Sequence, residues 1–185
     1  MRDKTIRKLV ICAAMSAMAV VLAYFIHIPI IPGLPFLLYD PADIVIYLTT
    51  FVLGIPYGLI VTIVASVGQG LLANPESGII GIAMHIFATG MYVMVAGLVA
   101  KALKKKKKKS VSLVFATLAG IAATIIAMAI WNIWLTPIYM NIPRKLLVKD
   151  YLGWILLFNL IKPTINGFVA IALERPVTKG LVMKK

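Results

Sequence analysis

Acidic side chains are scarce in this chain, with 6 Asp and Glu against 19 Lys and Arg among 185 residues. Charged residues of both signs make up only 14%, where a soluble domain carries about a quarter. Cysteine occurs once, as Cys12, so no intramolecular disulfide can form and the redox compartment leaves no mark. Its plain role is that of a small buried apolar side chain. Two histidines and few carboxylates make a poor inventory for acid–base chemistry, and the HExxH, GxSxG and Cys/His metal spacings are missing. Without a Walker A sequence the chain cannot use ATP through a P-loop. These gaps point away from an enzyme, and no cofactor is expected.

What is abundant is oil. Hydrophobic residues make up 62% of the chain, in several runs that approach or exceed the roughly 20 residues needed to span a bilayer. The pattern predicts an all-α integral membrane protein, six transmembrane helices in one bundle, as a single domain over residues 1–185. The predicted helices cover residues 8–27, 41–53, 57–73, 79–103, 111–135 and 151–173. "MRDKTIRK" is a basic start, but the uncharged run of 18 residues from Leu9 to Ile26 exceeds a signal-peptide core and lacks a cleavage site before a polar start, so it reads as a retained first helix. "IPIIPGLPFLLYDP" holds four prolines from Pro29 to Pro41. Regular helix is excluded there, and its apolar character predicts an ordered loop packed on protein or lipid. "GIPYG" and "NPESG" read as turns, and "TPIYMNIPRKLLVKD" as a longer, partly helical connection.

The net charge of +13 collects at the ends of apolar runs, as topology signals and anionic lipid contact require; nucleic acid is not the expected partner. One side of the bundle receives Arg2, Lys4, Arg7, Lys8, Lys101, the lysine run Lys104 to Lys109, Arg175, Lys179, Lys184 and Lys185. The other receives the proline loop, "NPESG" and the connection before the last helix, where only Arg144, Lys145 and Lys149 oppose the trend. The positive-inside rule therefore places both termini in the cytoplasm and the structured loop between helices 1 and 2 outside. The lysine run reads as a solvated stop-transfer flank. Because the structured loops gather on the outer side, a binding site opening outward is expected.

An ionisable side chain in mid-span costs about 2.5–3.5 kcal/mol on insertion scales and marks a site by default. Lys162 is such a residue in "WILLFNLIKPTINGFVAIAL", with Asn159 and Asn166 on its face at i−3 and i+4. Pro163 removes a backbone donor beside it and predicts a kink. On helix 5, Asn132 lies between Trp131 and Trp134, with Tyr139 beyond; the aromatics suit an interfacial belt, whereas a buried amide needs a partner. Asp40 and Asp43 stand at the start of helix 2. Capping is the expected role of Asp43, with ligand contact or pairing with Lys162 as the alternatives. Gln69 and His85 are further polar residues among apolar ones. Ala13 and Ala17 form a small-xxx-small pair on helix 1, suited to internal packing or to docking another membrane subunit.

These residues carry a resemblance. "GLPFLLYDPAD", "NIWLTPIY" and "FNLIK" are similar to segments of the substrate-binding S components of energy-coupling factor (ECF) transporters, most closely the riboflavin-specific ones, and the similarity covers nearly the whole chain. The resemblance implies a vitamin-binding subunit of a prokaryotic plasma membrane that works with a transmembrane coupling subunit and two ATPases. It implies vitamin contacts at Asn132, Asn159 and Lys162, with Asp43, Gln69 and His85 nearby. Apolar loop 1, including Leu38, and the aromatic residues Trp131 and Tyr139 would cover the ring faces. Ala13 and Ala17 match the Ala-x-x-x-Ala signature that docks on the coupling subunit. The chain departs from the family's pattern where it has Gln69 in place of a Lys-Asn pair, His85 in place of Asn and Ala42 in place of Ser. These departures leave another vitamin or precursor open: pantothenate, a pyrimidine or a pyridoxal-type ring. A tricyclic isoalloxazine should need both Trp131 and loop 1 near the pocket, whereas a small acid would need a second cation beside Lys162. A stand-alone carrier, or a membrane enzyme acting on lipids, are the readings from other classes.

Overall fold

A computed structural model describes residues 2–31, 34, 37–73 and 78–182. Helix α1 (Arg2–Phe25) is followed by a two-stranded antiparallel ribbon, β1 (Ile28–Pro29) and β2 (Leu38–Tyr39), with Ile28 opposite Tyr39 and Pro29 opposite Leu38. Then come α2 (Ala42–Leu53), α3 (Ile55–Leu72), α4 (Gly78–Leu103) and α5 (Lys109–Met140). A short helix α6 (Arg144–Leu146) runs through a π-helical stretch, Leu147–Tyr151, into α7 (Leu152–Val182). The expected "NPESG" turn falls on Asn74–Ser77, outside the described residues.

Five of these helices are long and apolar enough to cross a membrane. The sixth, α2, is not: its 12 residues rise about 18 Å at 1.5 Å each, against a hydrocarbon core of about 30 Å. The six predicted helices are all there, but α2 is too short to span such a core on its own. "GIPYG" is not a multi-residue turn either. Gly54 alone breaks the chain, with a φ of +102° that favours glycine. Pro56 then lies in the first turn of α3, where its missing N–H leaves no bond unmade. Both long C-terminal helices outrun their predicted ends: α5 continues through Pro137 to a left-handed Asn141, and α7 runs through Pro163 and Pro176. A proline costs a helix one bond and one clash, and packing along both helices outweighs it. α1 likewise starts at Arg2, ahead of the predicted Lys8.

α4 packs along α5, and α5 along α7; α1 lies on α2 and α3, while α2 packs on α1, α3 and α7. Many large apolar side chains face outward, among them Val10, Phe25, Ile63, Ile126 and Ile130, as lipid contact requires. The tightest junction is built around Tyr92. Its ring stacks on Tyr47 at 3.6 Å between centroids, and its hydroxyl donates to Thr117 Oγ1 at 3.0 Å. Gly120 and Gly167 let α5 and α7 close over it; a Cβ at Gly167 would lie 2.6 Å from the Tyr92 hydroxyl. Of the proline-rich loop, Ile31, Leu34 and 37–41 are among the described residues. Ile31, Leu34 and Leu37 are buried against Leu147 and Ile155, so the loop is held down by the chain leading into α7.

Overpacking a close-packed core costs about 1–3 kcal/mol. Gly167→Val should therefore lower the thermal unfolding midpoint in detergent by several degrees, whereas Gly153→Ala, with nothing within 4 Å of its Cβ position, should leave it unchanged. Equal midpoints for the two variants would contradict the packing described at Tyr92.

Candidate functional site

The polar residues that the sequence scatters over 130 positions converge at one end of the bundle, the end that carries the proline loop. Lys162 Nζ donates to Asp40 Oδ2 at 2.7 Å and lies 3.6 Å from Asp43 Oδ2. All three side chains are buried. Asp40 acts as a hub. Its Oδ2 also accepts from Gln69 Nε2 at 2.9 Å, its Oδ1 accepts from the Ala42 backbone N–H at 3.0 Å, and its own carbonyl accepts from Asn166 Nδ2 at 2.9 Å. Asn166 Oδ1 in turn accepts from the Tyr39 hydroxyl at 3.0 Å. Burial, and then the Asp40 carboxylate, push the Tyr39 phenol above its ordinary range, so it stays a neutral donor.

Asp43 does not cap α2 through its side chain. Its Oδ1 accepts from Thr89 Oγ1 at 2.9 Å and faces His85 Nε2 at 3.3 Å; the other ring nitrogen of His85 is 2.7 Å from Ser66 Oγ. The capping expectation is corrected: the local turn bond at the start of α2 comes from Asp40, and Asp43 is drawn inward by Lys162, the alternative the sequence left open. An ammonium this deep would otherwise be an uncompensated buried charge.

Above the cluster is a cavity of about 160 Å³, small beside the roughly 300–1,000 Å³ that small-molecule sites occupy. Asp43, Gln69, His85, Asn132, Asn159, Lys162 and Leu38 all line it, as do Asp40, Leu37, Met84, Met128 and Phe158. Each amide in the wall is oriented by a bond on its own helix or to the cluster. Asn132 donates to the Met128 carbonyl at 2.8 Å and accepts from Thr136 Oγ1 at 2.7 Å, while Asn159 donates to the Ile155 carbonyl at 2.8 Å. Gln69 spends its N–H on Asp40, and its buried Oε1 has no hydrogen-bond partner among the described residues.

One aromatic expectation falls elsewhere. Trp131 lies outside this cavity, stacked on Phe87 at 4.2 Å between centroids in a separate groove on the outside of α4 and α5. Adjacent helix residues do not share a face, so with Asn132 turned inward Trp131 turns away. The side chain of Tyr139 lies outside the described residues. Ala13 and Ala17 are exposed on α1, while Cys12, Ser16, Ala19 and Ala23 form its buried face. Sequence reasoning did not single out the hub role of Asp40, nor Phe158 and the methionines of the wall. The signal for Asp40 was its place beside Asp43 with one mid-span cation to share.

Comparison with known proteins now bears on the arrangement. A family model described as "ECF transporter, substrate-specific component" matches residues 7–174. This chain belongs to that family. The substrate-specific component is 27% identical over 157 residues to "Riboflavin transporter RibU" of Lactococcus lactis subsp. cremoris, strains NZ9000 and MG1363, covering 83% of this chain and 74% of each relative. The solved structure described as "Structure and mechanism of the S component of a bacterial ECF transporter" superposes with a TM-score of 0.78 at 26% identity, over 98% of this chain and 99% of that one. The family is one of transporter substrate-binding subunits rather than enzymes, and the apolar helices agree with a multi-pass membrane protein.

Removing one partner of a buried ion pair costs about 3–5 kcal/mol. Asp40→Asn should lower unfolding stability in detergent by about that amount. The double variant Asp40→Asn/Lys162→Met should be less destabilised than the two single changes combined. A strictly additive double variant would mean that the pair does not organise this end of the bundle.

Proposed function

We propose that this chain is the riboflavin-binding S component of an ECF transporter in a prokaryotic plasma membrane, with both termini cytoplasmic and its cavity opening outward. It would act with a coupling subunit and two ATPases. The observation that carries the ligand class is the charge state of the cavity. Two carboxylates already face Lys162, so the ammonium has no charge left for an anionic vitamin, and a small acid such as pantothenate would meet a formally negative cluster. A neutral ligand with an apolar ring and several donors suits these walls. Donors on the ligand would satisfy Gln69 Oε1, Asn159 would take a polar edge, and Leu37, Leu38 and Phe158 would cover ring faces. The RibU relatives support riboflavin over other neutral vitamins.

A smaller neutral heterocycle is the second reading. Trp131, expected beside a tricyclic ring, faces the other groove, and this favours a narrower ligand. The outward orientation rests on the charge distribution: Arg7, Lys8, the lysine run, Arg175 and Lys179 lie at the bundle end opposite the cavity. The exposed Ala13 and Ala17 on α1 would be the face that meets the coupling subunit.

The visible absorbance of protein purified from rich medium should show a flavin near one per chain, and added riboflavin should lose fluorescence on binding. Leaving a buried polar group unsatisfied costs about 1–3 kcal/mol, so Asn159→Ala and Gln69→Leu should each weaken riboflavin at least about tenfold. A colourless protein that ignores riboflavin would transfer the reading to the smaller ring. Ala13→Leu/Ala17→Leu should spare binding and abolish uptake in cells that contain the energising subunits; retained uptake would remove the docking face.

A further inference from the structure

We propose that the groove on the outside of α4 and α5 binds one acyl chain of an anionic phospholipid whose phosphate is held by Arg144. The groove is separate from the vitamin cavity and almost wholly apolar. Phe87 and Met91 of α4 form one wall, Ile130, Trp131 and Trp134 of α5 the other, and Ala127 keeps the floor low. Along α5 it extends from Ala123 to Leu135, about 18 Å at 1.5 Å per residue. One leaflet's share of the hydrocarbon core is about 15 Å, so the groove matches a single chain lying along the membrane normal.

Its occupant is indicated at the Trp134 end. The Arg144 guanidinium lies over the Trp134 ring, 4.5 Å from the centroid, and its Nε donates to the Ile133 carbonyl at 3.2 Å. Stacking and that bond fix the plane of the guanidinium and leave its terminal nitrogens for a bidentate phosphate contact. Lys145 and Lys149 lie exposed on the same short segment, with Asp150 the one carboxylate beside them. These cations stand against the charge distribution of the rest of the chain, so topology does not account for them. Trp131 stands one turn below Trp134, and its buried indole N–H has no acceptor among the described residues. A stacked cation at the mouth of an otherwise apolar wall fits an anionic lipid better than an apolar partner helix.

The test uses the full chain reconstituted in phospholipid vesicles, in a Trp154→Phe background so that only Trp131 and Trp134 report. Phosphatidylglycerol or phosphatidylcholine with brominated chains is titrated into ordinary phosphatidylcholine, and tryptophan quenching is read. Phosphatidylglycerol should reach half-quenching at about fivefold lower mole fraction than phosphatidylcholine, the preference one well-placed cation gives. Arg144→Ala, an exposed change, should remove that preference, Lys149→Ala should keep it, and Ala127→Leu should weaken quenching by both lipids. Identical curves for the two lipids overturn the proposal, as does a preference that survives Arg144→Ala or is lost equally with Lys149→Ala. Absence of quenching by either lipid, as under a protein partner, also overturns it.

Discussion

A lysine in the middle of an apolar helix is the constraint to which the rest of the structure answers. Lys162 cannot reach water along its own helix, and an isolated ammonium at that depth is too costly to keep. The chain brings two carboxylates to it from a segment 122 positions away, at 2.7 Å for Asp40 and 3.6 Å for Asp43. Everything else at that end of the bundle then has a defined place. The loop before α2 must fold down onto α7, because it carries Asp40. Gln69 of α3, and His85 and Thr89 of α4, gather around the same carboxylates. A buried ion pair is weak evidence for stability in itself. Its role here is to tie α2, α3, α4 and α7 to one cluster in which the ammonium is not left unpaired.

The two asparagines flanking Lys162 have different work, although the sequence presents them alike. Asn159 faces the cavity. Asn166, fully buried, clamps the loop: one bond goes to the Asp40 carbonyl and one comes from the Tyr39 hydroxyl. The stretch from Trp154 to Leu173 is therefore both the wall of the site and the anchor of the segment that covers it. Cavity-lining Asn159 and Lys162 and loop-holding Asn166 share one helical face.

Much of this could be read from the sequence because the membrane penalises polar side chains so heavily that each survivor carries information. Lys162, Asn159, Asn132, Gln69 and His85 were conspicuous for that reason, and all five line one cavity. The aromatic residues carry no such penalty in lipid, so nothing in the sequence said which way Trp131 turned; the inward Asn132 next to it decides that. Asp40 was hidden because its value lies in a contact across most of the chain. The helix ends were placed short of Pro137 and Pro176, and in both helices the surrounding packing carries the helix on. The short α2 was legible as short, but its shortfall against the bilayer was not weighed.

That shortfall sets a depth. The Gly54 end of α2 lies by the basic flank, where Lys8 Nζ stands 5.0 Å from the Tyr57 ring centroid. From there α2 rises only about 18 Å, so its other end stops about 12 Å short of the far side of a core about 30 Å thick. The carboxylates at that end therefore lie deep in the bundle, and the loop residues Leu37 and Leu38 share the wall of the cavity above them. In the proposed orientation, a ligand entering the cavity would give up water against apolar Leu37 and Leu38 as well as against the charged cluster.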